Sequence, residues 1–192
     1  MIEQLIEFDK DLFVFLNGLH APWLDPAMEL FTETITWIPL YALLFFHIVK
    51  TYRRESLAIL LSIGVLILMT DQITSSLMKP FFERLRPSHE TSLDGIVHVV
   101  NNYRGGMYGF ASSHAANTFG VAMFINLLLR KEKPWVMWLF LWAAFVSYTR
   151  IYLGVHYPGD ILAGAAIGIV TAWLIFQLYI RSKSAIQKRK SG

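Results

Sequence analysis

Leu57-Ala58-Ile59-Leu60-Leu61-Ser62-Ile63-Gly64-Val65-Leu66-Ile67-Leu68-Met69-Thr70-Asp71-Gln72-Ile73-Thr74-Ser75-Ser76-Leu77-Met78-Lys79 decides the fold. No residue from Leu57 to Thr70 is charged, and the run is long enough to cross hydrocarbon as a helix. Comparable apolar runs lie at Ile38 to Val49, Ala111 to Leu129, Trp135 to Tyr152 and Pro158 to Ile180. Of the 192 residues, 55% are hydrophobic and 16% charged, too few polar groups to cover a soluble domain. The expected fold is therefore all-α: one polytopic membrane bundle over residues 1–192, with about five transmembrane helices. With no cysteine, neither a disulfide nor a thiolate metal site is available.

Working outward, Asp71 and Gln72 interrupt the apolar run. An unpaired Asp71 in lipid costs roughly 3 kcal/mol. It is expected to meet a cation such as Arg150 or a wet cavity, supporting a site from behind. Asp25 to Val49 reads as one oblique span in which Pro39 is a tolerated kink. Glu29 and Glu33 share a face there, read as solvated, with the lining of a substrate entrance the other reading. Residues 1–20 read as an amphipathic helix at the membrane interface, with packing on the bundle the other reading; Asn17-Gly18 ends it. Residues 80–110 form a polar loop that cannot span. Ser112, Ala116 and Gly120, and Gly164 and Gly168, recur at four-residue spacing, which lets helix backbones approach closely.

Eleven of the seventeen basic residues fall in the 50–54 turn, the 130–133 turn and the 181–192 tail. That bias places these segments in the cytoplasm and the 80–110 loop outside, in the inner membrane of a cell. The tail is expected to be basic and disordered.

Three polar clusters punctuate the outer ends of the apolar runs: Lys79-Pro80-Phe81-Phe82-Glu83-Arg84-Leu85-Arg86-Pro87, Ala111-Ser112-Ser113-His114 and Thr149-Arg150-Ile151-Tyr152-Leu153-Gly154-Val155-His156-Tyr157-Pro158-Gly159-Asp160. Pro158 suits a helix start, which sets Asp160 in the first turn, close to His156. A carboxylate there can hold one imidazole nitrogen and leave the other free to attack. Arginine forks suit phosphate oxygens, and helix N-terminal N–H groups near Ser112 and Ser113 can bind them. Two histidines with Asp160 are also compatible with a metal ion or a purely structural pair.

In order and spacing the three clusters resemble the type 2 phosphatidic acid phosphatase (lipid phosphate phosphatase) family. That family's pattern is Lys-x6-Arg-Pro, Pro-Ser-Gly-His and Ser-Arg-x5-His-x3-Asp. Here Ala111 and Ser113 replace the proline and glycine of the second motif, and Thr149 the serine of the third. The resemblance covers roughly residues 57–180. It implies His156 as nucleophile through a phosphohistidine, Asp160 as its orienting partner and His114 as general acid and base. Lys79, Arg86 and Arg150, with Ser112 and Ser113, would hold the phosphoryl oxygens, and no metal or cofactor is implied.

The implied substrates are undecaprenyl diphosphate, favoured because the chain is short, phosphatidylglycerophosphate, phosphatidic acid and the 1-phosphate of lipid A. Membrane lipids are the expected partners and nucleic acid is not; the sequence is silent on oligomeric state. A lipid-to-lipid phosphotransferase and a non-catalytic lipid-phosphate binder or transporter are the alternatives. Arg84 and Arg104 match no position of the pattern and read as solvated loop charges. Tyr103, Tyr108 and Tyr152 read as interface anchors, with contact to the substrate the other reading. His20, His47, His89 and His98 suggest no partner.

Overall fold

The computed structural model describes residues 1–185 in full and the backbone of 186–191. Among the described residues it is all-helical, apart from a single bridge between Leu85 and Tyr108. Helix α1 spans Ile2–Asn17, where the expected amphipathic helix lies. Helix α2, Asp25–Thr32, is followed by extended backbone at Glu33 (φ −74°, ψ 133°), a 3₁₀ turn at Thr34–Trp37 and α3 at Ile38–Tyr52.

The single oblique span expected from Asp25 to Val49 is thus broken in two. The β-branched run Thr34, Ile35, Thr36 weakens helix where the break falls. Trp37 Nε1 donates to Phe31 O (2.9 Å), closing the end of α2. Pro39 lies in the first turn of α3, where its missing N–H costs nothing, so it starts a helix and does not kink one.

Arg53 (φ 46°) ends α3 and the chain turns back into α4, Ser56–Asp71. A wide π-helical turn, Gln72–Met78, leads into α5, Lys79–Phe82, which Glu83 stops in the left-handed conformation (φ 46°). After the loop come α6, Ser113–Leu129, α7, Trp138–Tyr152, and α8, Pro158–Ser191. Arg181 to Ala185 continue α8 as helix, where a disordered tail was expected. Lys183 Nζ helps hold that end by pairing with Glu55 at 2.7 Å. The side chains of 186–191, and all of residue 192, lie outside the described residues.

Two helical stretches, Thr34–Phe82 and Pro158–Ala185, are long and apolar enough to cross a membrane; Ser113–Leu129 is apolar but shorter. The first of these contains both α3 and α4. Large apolar side chains are exposed along them: Leu43, Phe46, Leu57, Leu61, Leu68, Leu162, Leu174 and Leu178. Helices that expose so many large apolar side chains suit lipid better than water.

The core runs down the bundle axis through Leu66, Phe124, Ile125, Leu129, Leu139, Ala143 and Ala172. Helices α6 and α8 make the closest crossing. A side chain at Gly164 would be driven into Ser112 O, and one at Gly168 into Ala116 O. Tyr52 donates to Leu128 O (3.0 Å) and Glu55 meets α8, so the 50–55 turn, the end of α6 and the 179–183 segment share one end of the bundle. The three polar clusters share the other.

Candidate active site

The third cluster sits where α7 gives way to α8. Gly154 (φ 74°) reverses the chain there. A Cβ on it would meet His98 O at 2.7 Å, so only glycine allows the turn to seat against the 97–99 segment. The turn presents Val155 O and the His156 ring, and α8 then begins at Pro158 with Asp160 in its first turn. His156 Nδ1 lies 3.3 Å from Asp160 Oδ2, which also accepts from the Tyr157 N–H (3.0 Å). Arg86 Nη1 donates to Val155 O (3.0 Å) and to His156 Nε2 (3.0 Å). A guanidinium can only donate, so Nε2 carries the lone pair and Nδ1 the proton. Burial, then the Arg86, Arg150 and Lys79 cations, push the His156 imidazole well below its usual 6.5.

The first two clusters converge on this turn. The π-helical turn swings Ser75 and Lys79 toward the start of α6, where Lys79 Nζ donates to Ser113 Oγ (3.0 Å) and Ser75 Oγ (3.2 Å). Thr74 shares the Ser113 hydroxyl at 2.8 Å. Asp71 accepts from Ser75 (3.2 Å); it supports Lys79 through that hydroxyl and is not the partner of Arg150. Ser113 takes its place in the first turn of α6, outside the left-handed region, and uses its side chain to tie α6 to Lys79. Ser112 caps α6 by accepting from the Ala115 N–H (3.4 Å), and its own N–H donates to Asp160 O (3.0 Å). His114 follows, one face toward the cations and one toward an apolar cavity.

Arg150 is buried, donating to Thr32 Oγ1 (2.8 Å) and Tyr103 OH (3.2 Å). Its Nε and that of Arg86 are buried without a partner among the described residues. None of Lys79, Arg86 and Arg150 is paired with a carboxylate there either. Clustered cations held only by neutral groups repel one another and make a strong anion site.

Several residues depart from their expectations. Arg84 is not a solvated charge: it joins Asp160 Oδ1 (2.9 Å) to Asp9 Oδ2 (2.7 Å) and lies 4.1 Å over the Tyr157 ring. Tyr103 touches Arg150, and Tyr152 is fully buried on Asp25 (2.6 Å), so neither is a simple interface anchor. His98 also has a partner, Asp25 Oδ1 at 3.0 Å, and stacks on His20 at 3.8 Å. Arg104 is exposed as expected, Glu33 is exposed, and Glu29 accepts from Asn101. Asp9 and Thr32 were not singled out from the sequence. The signal for Asp9 is its four-residue spacing with Phe13 and Asn17, both buried.

A family model described as the PAP2 superfamily matches residues 58–184. The chain is 42% identical over 179 residues to a lipid A 4'-phosphatase of Bacteroides thetaiotaomicron, covering 92% of this chain and 79% of that protein. It is 37% identical over 185 residues to a lipid A 4'-phosphatase of Porphyromonas gingivalis, covering 95% and 78%. The crystal structure of Aquifex aeolicus LpxE superposes with a TM-score of 0.64 at 28% identity, over 87% of this chain and 93% of that one.

Proposed function

The chain belongs to the PAP2 superfamily, and from that premise we propose how its site works and on what. It is a membrane phosphatase of lipid phosphates. In the proposed reaction His156 Nε2 attacks phosphorus in line as the P–O bond to the lipid breaks. His114 protonates the leaving oxygen, then takes a proton from the water that cleaves the N–P bond, releasing phosphate and restoring both histidines. Asp160 holds the Nδ1 proton and offsets the charge that develops on the ring. Lys79, Arg86 and Arg150 grip the equatorial oxygens, the electrostatic task a metal ion performs elsewhere. One observation carries the reading: three cations without carboxylate partners among the described residues act on one imidazole, whose Nε2 lone pair faces Arg86.

For the substrate, we infer a phosphate monoester on an acylated sugar lipid of the lipid A type. The names of the two relatives support it. So does a cavity of ≈ 500 Å³ lined by His114 and Thr32 together with Tyr41, Phe45, Leu60 and Ile63. Its apolar walls offer a lipid tail a place beside the bound headgroup. The undecaprenyl diphosphate favoured from chain length is the competitor. The bundle is proposed as a single domain with five spanning helices, α1 at the interface and the site outside.

Phosphate release by the purified protein in detergent with chelator, across lipid A, undecaprenyl diphosphate, phosphatidic acid and phosphatidylglycerophosphate, tests this. Expected is metal-independent release, fastest from lipid A, abolished in His156→Ala and inhibited by vanadate. Turnover retained in His156→Ala would remove the nucleophile. Faster release from undecaprenyl diphosphate would reverse the substrate.

A further inference from the structure

We propose that Asp9 and Arg84 are positioning residues for the reaction, so that α1, outside the matched family region, completes the site. The inference rests on the reading of His156 and Asp160 given above.

Asp160 is completely buried, and each of its oxygens has a separate task. Oδ2 faces His156 Nδ1 and the Tyr157 N–H; Oδ1 is held by Arg84 Nη1. Arg84 is itself fixed on three sides. Its Nη2 meets Asp9 Oδ2, its guanidinium lies on the Tyr157 ring, and that ring is met edge-on by Phe13 of α1 at 5.3 Å. Asp9 spends its second oxygen on the Gly159 N–H (2.7 Å), an otherwise open donor at the start of α8. A Cβ at residue 159 would sit 2.7 Å from Asp9 Oδ2, so the backbone of α8 can come this close only as glycine.

Asp9 and Phe13 are one helical turn apart on one face of α1. That face therefore clamps both the carboxylate that orients His156 and the helix turn that carries it. Arg84 is not available to substrate phosphate, because two carboxylates already occupy its fork. Remove it and Asp160 keeps only neutral donors for a buried charge, so the carboxyl protonates or turns and Nδ1 loses its acceptor.

The test compares kcat, KM and the pH profile of kcat/KM on the lipid that the wild type turns over, in Asp9→Asn, Arg84→Gln, Arg84→Lys and the double variant Asp9→Asn/Arg84→Gln. Glu3→Gln, exposed on the same helix, is the control. Loss of a group that orients a catalytic one lowers activity by roughly 10- to 100-fold. The expected loss is in kcat with KM little changed, partly rescued in Arg84→Lys, with a displaced acid limb. The double variant should be no worse than Arg84→Gln, because the two act as one unit. Full kcat in Arg84→Gln, or losses that multiply in the double variant, would overturn the proposal while leaving the phosphatase reading intact. If the wild type releases no phosphate from any lipid, the phosphatase reading fails instead. Hydrogen exchange at the Gly159 amide then decides the clamp: protection lost in Asp9→Ala supports it, and equal exchange in wild type and variant refutes it.

Discussion

At the scale of single residues, what distinguishes this site is how its ionic groups are partitioned. Arg84 is neutralised by Asp9 and Asp160, whereas Lys79, Arg86 and Arg150 are held by hydroxyls, a carbonyl and an imidazole. The sequence marked all three of the latter, because a spacing pattern can be read without coordinates. It could not separate Arg84 from Arg104, which differ only in what folds against them. The depressed His156 has a consequence for stability. The unfolded ring binds its proton near 6.5 and the folded ring resists it, so below that pH the unfolded state takes up more protons. Stability from this group is present above about pH 6.5 and falls on acidification toward the folded value. Thermal unfolding followed between pH 7.5 and 5 should show the loss, and His156→Gln should flatten it. A second expectation concerns Gly109, whose backbone covers the pair. A Cβ there would lie 2.9 Å from Asp160 Oδ2, an oxygen that is buried and already held by the Tyr157 N–H. Gly109→Ala should cut kcat more than tenfold, read in the same phosphate-release assay.

Among the elements, α1 and the α6–α8 pair contrast in what the sequence disclosed. The small-residue spacing of α6 and α8 predicted close approach, and the backbones do meet at Ser112–Gly164 and Ala116–Gly168. Gly168→Leu has no space to occupy and should cost several kcal/mol or prevent folding, measurable as a drop in the midpoint of thermal unfolding in detergent. Helix α1 forms where the sequence placed it, and the structure adds which of its residues are buried. Its apolar residues Ile2, Leu5, Ile6 and Phe8 point outward, and the inward stripe is Asp9, Phe13 and Asn17. An apolar face turned away from the bundle and a polar stripe turned toward it suit the proposed interfacial position. Asn17 is buried and donates to Ile151 O (3.0 Å) and Tyr152 O (2.9 Å) while accepting from the His98 N–H (2.8 Å). Asn17→Leu strands those groups and should destabilise the docking of α1 by about 1–3 kcal/mol, seen as faster proteolysis of the N-terminal helix.

Over the whole molecule the polar clusters gather at one end and the basic turns at the other. The proposed orientation puts the catalytic end outside. Because the chain has no cysteine, single substitutions report it directly. In intact cells, Asp94→Cys in the exposed loop should react with an impermeant maleimide, and Lys131→Cys in the opposite turn should react only after lysis. The reverse result would invert the molecule in its membrane. The class of the protein was legible in residue order: apolar length dictates helices in lipid, and the three motifs carry the family resemblance that implies one anion site. Tertiary structure alone decided which charges are free. An ion's behaviour depends on the carboxylate that reaches it across space, and no spacing along the chain records that Asp9 folds back onto an arginine seventy-five positions later.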